Sequence, residues 1–364
     1  SAATVRSRSA HFRTMPIEFE RSVDDARFKS PLEEFETVSE PIEHRTDPLT
    51  DRTVRIASEV FPHPEEATAK GAGDPEAGDD RATDLERVVG DGEGCFFCPD
   101  SVETATPEYP EAVGGGRTSR GAATSFPNLF PYAKHSNVVV LTEEHFRPMD
   151  ELGAPCLTDG LACALEYLRS VREHDGSRFA SVNMNFLRSA GSSVYHPHMQ
   201  AMVDDRGTDR QARIARRERE YREEHASRYW ADLLERERSG DRYVGRTGDV
   251  EWLAPFAPLG QFHVAGVLDT GGTGLPGDEH LGDAARGIDA VLEYYADRGL
   301  NAFNFGLRLA PDDPASATVV DVVARAPFEE HYVSDAFFAQ TIHRQGVVDA
   351  APEAYASAVA EHLP

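Results

Sequence analysis

At 364 residues the chain is long enough for two domains of ordinary size or one large pseudo-symmetric unit. Its net charge is −26 and its lysines are only Lys29, Lys70 and Lys134, so it offers no clustered basic face for nucleic acid. No apolar run approaches the roughly 20 residues that span a bilayer, and the acidic, lysine-poor composition predicts a soluble, cytoplasmic protein kept in solution in a halophile's concentrated salt, an acidic mesophile protein being the other reading.

In chain order, Ser1 to Thr14 is basic and rich in small residues but lacks an apolar h-region, so it reads as a disordered leader rather than a secretory signal. Ile17 to Glu43 is charged and reads as irregular. Asp47-Pro-Leu-Thr50 predicts a turn and Arg52 to Ser58 a strand. Pro62 to Gly92 lacks apolar periodicity and reads as a solvated loop, closed by Cys95-Phe-Phe-Cys98 in a Gly-flanked knuckle. A second glycine-rich loop covers Pro107 to Ala122. Val138 to Leu141 has the continuous apolar run of a strand buried on both faces. Pro155 to His174 has helical spacing through Leu161, Leu165, Leu168 and Val171, with Cys156 and Cys163 as small apolar members. Phe179 to Leu187 is a strand, and Gln211 to Ser239 a charged helix or helix pair.

The remainder repeats this order. Trp252 to Leu268 resembles Phe130 to Leu141, which puts His135 and His263 in matching places. Leu281 to Arg298 repeats the helix, and Asn301-Ala-Phe-Asn304-Phe305-Gly-Leu-Arg308 repeats Val182-Asn-Met-Asn185-Phe186-Leu-Arg188. The expected division is a leader at 1–14, a first half at 15–205, a helical connection at 206–250 and a second half at 251–364.

The two copies differ at one place. After its strand the first runs Ser189-Ala-Gly191-Ser192-Ser193-Val-Tyr-His196-Pro-His198-Met-Gln200, whereas Val319 to Phe328 in the second has no histidine pair. If 196–200 is extended, side-chain alternation puts His196, His198 and Gln200 on one face. Gly191, Ser192 and Ser193 supply N–H groups and hydroxyls suited to an anion. A turn and a half-buried strand with surface histidines is the plain alternative. The Cys95/Cys98 pair suits a tetrahedral zinc completed by two histidines, with His145 and His196 the best candidates; a redox pair is the competing reading. His198 is then free to attack phosphorus, with Gln200 placed to donate to a phosphate oxygen.

These separated motifs together resemble the galactose-1-phosphate uridylyltransferase family of the histidine-triad superfamily. The matching residues are Asp47-Pro-Leu-Thr50, Cys95/Cys98, Asn128, His145, Asn185, Gly191-Ser-Ser193, His196-Pro-His198-x-Gln200 and the Tyr229-Trp-Ala-Asp tract. The resemblance implies an α+β fold of two histidine-triad-like subdomains, each an antiparallel sheet with packed helices. It implies one zinc on Cys95, Cys98, His145 and His196, a nucleotidyl group carried by His198, phosphates held by Gln200 and Ser193, and Asn128 and Asn185 near the nucleotide. The family's ping-pong reaction exchanges UMP between a nucleotide sugar and a sugar 1-phosphate, in a homodimer. A nucleoside-diphosphate-sugar phosphorylase and a non-catalytic nucleotide binder are the alternatives. The family's arginine-bearing segment is replaced here by Ser58 to His63, leaving Arg188, Lys134 or Arg120 to stand in. Ala324-Arg325 replaces a His-x-His of the second half, so no second metal is expected.

Overall fold

In this computed structural model, residues 17–57, 85, 87–269, 271, 275–309, 312–329 and 334–364 are described. The expected leader, the segment Ser58–His63 and most of the solvated loop before the knuckle lie outside them.

Ten antiparallel strands form the central sheet. The first five are β4 (Thr118–Arg120), β5 (Ala123–Pro127), β6 (His135–Val140), β7 (Phe179–Phe186) and β8 (His198–Asp204). The others are β9 (Tyr243–Thr247), β10 (Val250–Leu253), β11 (Gln261–Leu268), β12 (Ala302–Arg308) and β13 (Thr318–Arg325). Their spatial order, β4-β5-β6-β8-β7-β12-β13-β11-β10-β9, reads as the same five-strand arrangement outward from its middle. At that middle β7 meets β12 with Asn185 opposite Asn304, the two residues the sequence repeat matches. Counting along the neighbouring ladders, Gln200 faces Asn183 and Arg325 faces Ala302, two residues before the central pair in each copy. Arg325 therefore stands where the first copy has Gln200, and Val323 where it has His198.

One face of this sheet carries the repeated helices α2 (Gly153–Asp175) and α5 (Asp278–Asp297), following a short α1 (Pro99–Ala105) in the knuckle. Leu157, Leu161, Leu165, Leu168 and Val171 of α2 are fully buried, as the helical period requires, and Gly176 at φ 73° ends the helix. In α5 the helix lies so close to Trp252 that a Cβ at Gly287 would sit 2.0 Å from the indole. The opposite face of the second half is covered by α3 (Asp209–His225) and α4 (Tyr229–Glu237), the expected helix pair, with Ile214, Leu233 and Leu234 against Leu253, Ala265 and Val267. A Thr208–Gln211 capping box starts α3.

A smaller sheet joins the two ends of the chain: β1 (Arg21–Ser30), β2 (Glu36–Thr46), β3 (Thr53–Ala57) and β14 (Gly346–Val348), the last parallel to β3 and set between α6 (Phe338–Thr341) and α7 (Pro352–Ala360). The region 17–43, read as irregular, is thus mostly a two-stranded ribbon. Its residues are exposed on both faces, so it carries no apolar alternation to betray a strand. The architecture is the expected α+β fold of antiparallel sheet and packed helices.

Candidate active site and metal centre

The knuckle is built by close approach. The Cys95 N–H donates to the Gly92 carbonyl at 2.9 Å and the Phe97 N–H to Cys95 Sγ at 3.4 Å. Gly92, at φ 89°, lies against the His145 ring, where a Cβ would be 2.7 Å from Cγ. Phe97 and Val102 pack on Phe126, Val138 and Val140, fixing the knuckle to the outer face of β5 and β6. This brings together Cys95, Cys98, His145 and His196, whose donor atoms all lie within 4.8 Å of one another.

The donor set fits a tetrahedral cation. Sγ of Cys95 and of Cys98 lie 3.7 Å from His196 Nδ1, and Cys98 Sγ lies 3.6 Å from His145 Nδ1. Bond lengths near 2.3 Å to sulfur and 2.0–2.1 Å to nitrogen at tetrahedral angles require about 3.6 Å between such atoms. His196 Nε2 donates to the Thr142 carbonyl at 2.8 Å, which leaves Nδ1 as the free ligand nitrogen. Burial lowers the His196 pKa to about 4, keeping the ring neutral. Burial and the neighbouring Cys95 push the Cys98 thiol up to about 11, a cost that a dication reverses. A redox pair would not need two imidazole nitrogens at this spacing.

His198 is buried, and its Nδ1 donates to the His196 carbonyl at 2.8 Å. That fixes the tautomer with the lone pair on Nε2, while burial lowers the pKa and holds the ring neutral. Phe97 meets the ring edge-on with centroids 5.2 Å apart. A cleft of about 530 Å³ opens beside His198, and Gln200, Asn183 and Asn185 also line it. Gln200 Oε1 accepts from the Tyr132 hydroxyl, its amide N–H groups have no partner among the described residues, and Tyr132 is a wall residue the sequence did not single out. Asn185 Oδ1 accepts from Asn304 Nδ2 at 2.7 Å across the pseudo-dyad.

Other expected residues fall elsewhere. Asn128 is not on the cleft wall; its Oδ1 accepts from the Phe130 N–H at 3.0 Å in a turn. In the serine loop, Ser192 spends its N–H on the Leu187 carbonyl and its hydroxyl on the Val194 carbonyl, and the Gly191 N–H goes to Arg188. Ser193 is exposed, and among the described residues its N–H and hydroxyl have no protein partner. The loop leaves β7 through Leu187, buried and held at φ 66°, a strained entry for a non-glycine residue. Lys134 is engaged by Asp175 and Asp205, Arg120 by Asp278, and Arg188 lies over the Tyr195 ring. None of these three lines the cleft, whereas Arg210 and Arg325 do. Arg325 is gripped by Asp335 and donates to Asn304 Oδ1 at 2.5 Å. The duplication carried that signal, because Arg325 is the counterpart of Gln200. His135 pairs with Asp175, and His263 with Asp321 at 3.0 Å, in structural networks away from the cysteines.

No family profile matches the chain. A protein of Archaeoglobus fulgidus, itself uncharacterised, is 35% identical over 346 residues, covering 95% of this chain and 98% of that one. The chain belongs to that protein's family. Among solved structures, an ADP-glucose phosphorylase from Arabidopsis thaliana with bound ADP-glucose superposes with a TM-score of 0.63, at 16% identity over 89% of this chain and 99% of that one. A GalT-like protein from Arabidopsis thaliana gives 0.64 at 16% identity, covering 88% and 98%, and a uridylyltransferase 0.61 at 18%, covering 88% and 98%. This chain therefore shares the fold of those proteins.

Proposed function

We propose that the chain is a nucleotidyltransferase that moves a nucleoside monophosphate from a nucleotide sugar to an acceptor phosphate through His198. The observation that carries this reading is a buried imidazole with Nδ1 committed to the His196 carbonyl, which leaves the lone pair on Nε2, in a residue that lines an open cleft. The Nε2 lone pair attacks the α-phosphorus; a P–N bond forms, the P–O bond to the sugar phosphate breaks, and sugar 1-phosphate leaves with that electron pair. In the second half-reaction an acceptor phosphate oxygen attacks the same phosphorus and the P–N bond breaks, returning the free imidazole. The unspent amide N–H groups of Gln200 are placed to donate to a non-bridging oxygen as its charge grows. Arg325 and Arg210 also line this cleft, the first held by Asp335 and the second paired with Asp321 at 3.0 Å. Cys95, Cys98, His145 and His196 would hold a zinc ion, which supplies the dication that ties the knuckle to the strand end bearing His198.

The acceptor in this proposal is a hexose 1-phosphate, with UDP-glucose as donor and galactose 1-phosphate as acceptor. Inorganic phosphate is the second reading, supported by the likeness to an ADP-glucose phosphorylase structure. Protein charged from donor labelled in the α-phosphate decides between them. Discharge by galactose 1-phosphate supports the exchange reaction and discharge by phosphate alone the phosphorylase, while label discharged by neither defeats both.

A further inference from the structure

A side-chain amide can face either way until it touches a group that only donates or only accepts. On the cleft wall that condition is met twice at half-buried Asn304 of β12. A guanidinium only donates, and Arg325 Nη1 donates to Asn304 Oδ1 at 2.5 Å. A backbone carbonyl only accepts, and Asn304 Nδ2 donates to the Ala190 carbonyl at 2.9 Å. Arg325 is itself held, with Nε 3.0 and 2.8 Å from the two carboxylate oxygens of Asp335, whose Oδ2 also accepts from the Ala326 N–H at 2.9 Å. With Asn304 turned over, its N–H groups would meet the guanidinium and its oxygen the Ala190 carbonyl.

This fixed polarity is passed to the first half. Asn304 Nδ2 also donates to Asn185 Oδ1 at 2.7 Å, across the junction of β7 and β12. The oxygen of Asn185 is thereby spent, while its Nδ2 has no partner among the described residues. Asn185 is exposed and lines the same cleft as His198. We propose that Asn304 is a positioning residue: set by Arg325 and Asp335, it fixes Asn185 as a hydrogen-bond donor to an oxygen of the bound nucleotide sugar. This role rests on the nucleotide-sugar reading of the cleft, and it gives the second half, which lacks the histidine pair, a part in the site of the first. Through the Ala190 carbonyl the same amide also ties down the loop that leads into Gly191.

A double-mutant cycle on binding tests this, with UDP-glucose and ADP-glucose as probes, titrated calorimetrically into His198→Ala so that no transfer intervenes. Asn304→Asp keeps an oxygen for Arg325 but replaces the Nδ2 donor, so the Asn185 amide turns its oxygen to the ligand. In the His198→Ala chain, Asn304→Asp and Asn185→Ala should each weaken the better probe about tenfold, roughly one hydrogen bond. Adding Asn304→Asp to Asn185→Ala should weaken it no further, an outcome that general damage to the fold would not give. Arg325→Gln, whose amide can donate or accept, should act in the same direction and likewise lose its effect in Asn185→Ala. Affinity unchanged by Asn304→Asp, effects that add to that of Asn185→Ala, or binding of neither probe overturns the proposal. Binding that follows the cycle in a protein whose His198 forms no adduct upholds the positioning role and defeats only the transfer reaction.

Discussion

Two histidines one residue apart have different surroundings, and hydrogen bonds account for the difference. His196 donates from Nε2 and turns Nδ1 to the cysteines; His198 donates from Nδ1 and keeps Nε2 for the cleft. Both rings are fixed by backbone carbonyls, which no side-chain pattern in the sequence displays. The proposed metal site also rests on a residue with no side chain. Any β-carbon at Gly92 meets the His145 ring and must adopt a left-handed φ. Gly92→Ala should therefore lower zinc affinity by about 10–100-fold, the range seen when ligand orientation is disturbed. Metal analysis checks this; a variant that keeps about one zinc per chain under a competing chelator contradicts it.

Among the elements, the long helices α2 to α5 and the inner strands were legible because they bury apolar faces, as Leu157 to Val171 in α2 does, whereas the short α1, α6 and α7 and the edge strands β4 and β9 were not. The β1–β2 ribbon was not, because it buries neither face. The folding of the serine loop back on itself was equally hidden, since Ser192 looks the same whether its hydroxyl meets a phosphate or the Val194 carbonyl. The ribbon is held by a clamp at its inner end. Arg45, 2% exposed, bonds Glu43, the Phe256 carbonyl and Glu353 of α7, and Arg242 joins at Glu353 Oε1. Burial raises the Glu353 pKa, but the hydrogen bonds from Arg45 and Arg242 outweigh it and hold the carboxyl below its ordinary value. A carboxyl depressed in the folded state stabilises fully above its unfolded pKa of about 4.3 and loses that contribution as pH falls through the lower folded value. Glu353→Gln should cost about 1–2 kcal/mol at pH 7, with the difference from wild type shrinking below pH ~4. Urea midpoints across pH measure it; a gap that widens in acid would refute the clamp.

For the whole molecule, acids outnumber bases 63 to 37. Salt weakens the surface ion pairs and also screens the repulsion of the excess acids; at this imbalance the second effect dominates. The thermal midpoint should rise steadily from low to molar potassium chloride, and a fall over that range would remove the reading of a salt-adapted surface. Among the described residues no helix is long and apolar enough to cross a membrane. The duplication was readable in the repeated Asn-Phe strands, and the sheet gives it meaning by making Arg325 of β13 the counterpart of Gln200 of β8. That equivalence rests on strand register, and the sequence suggested other basic residues in its place.

The central claim is that His198 alone carries the transferred group. Intact mass of the chain after brief exposure to UDP-glucose, quenched in alkali where a phosphoramidate survives, reads this directly. The wild type should gain the mass of one UMP residue, and His198→Ala should gain none while retaining its zinc. An adduct that persists in His198→Ala, or none in the wild type, contradicts the account.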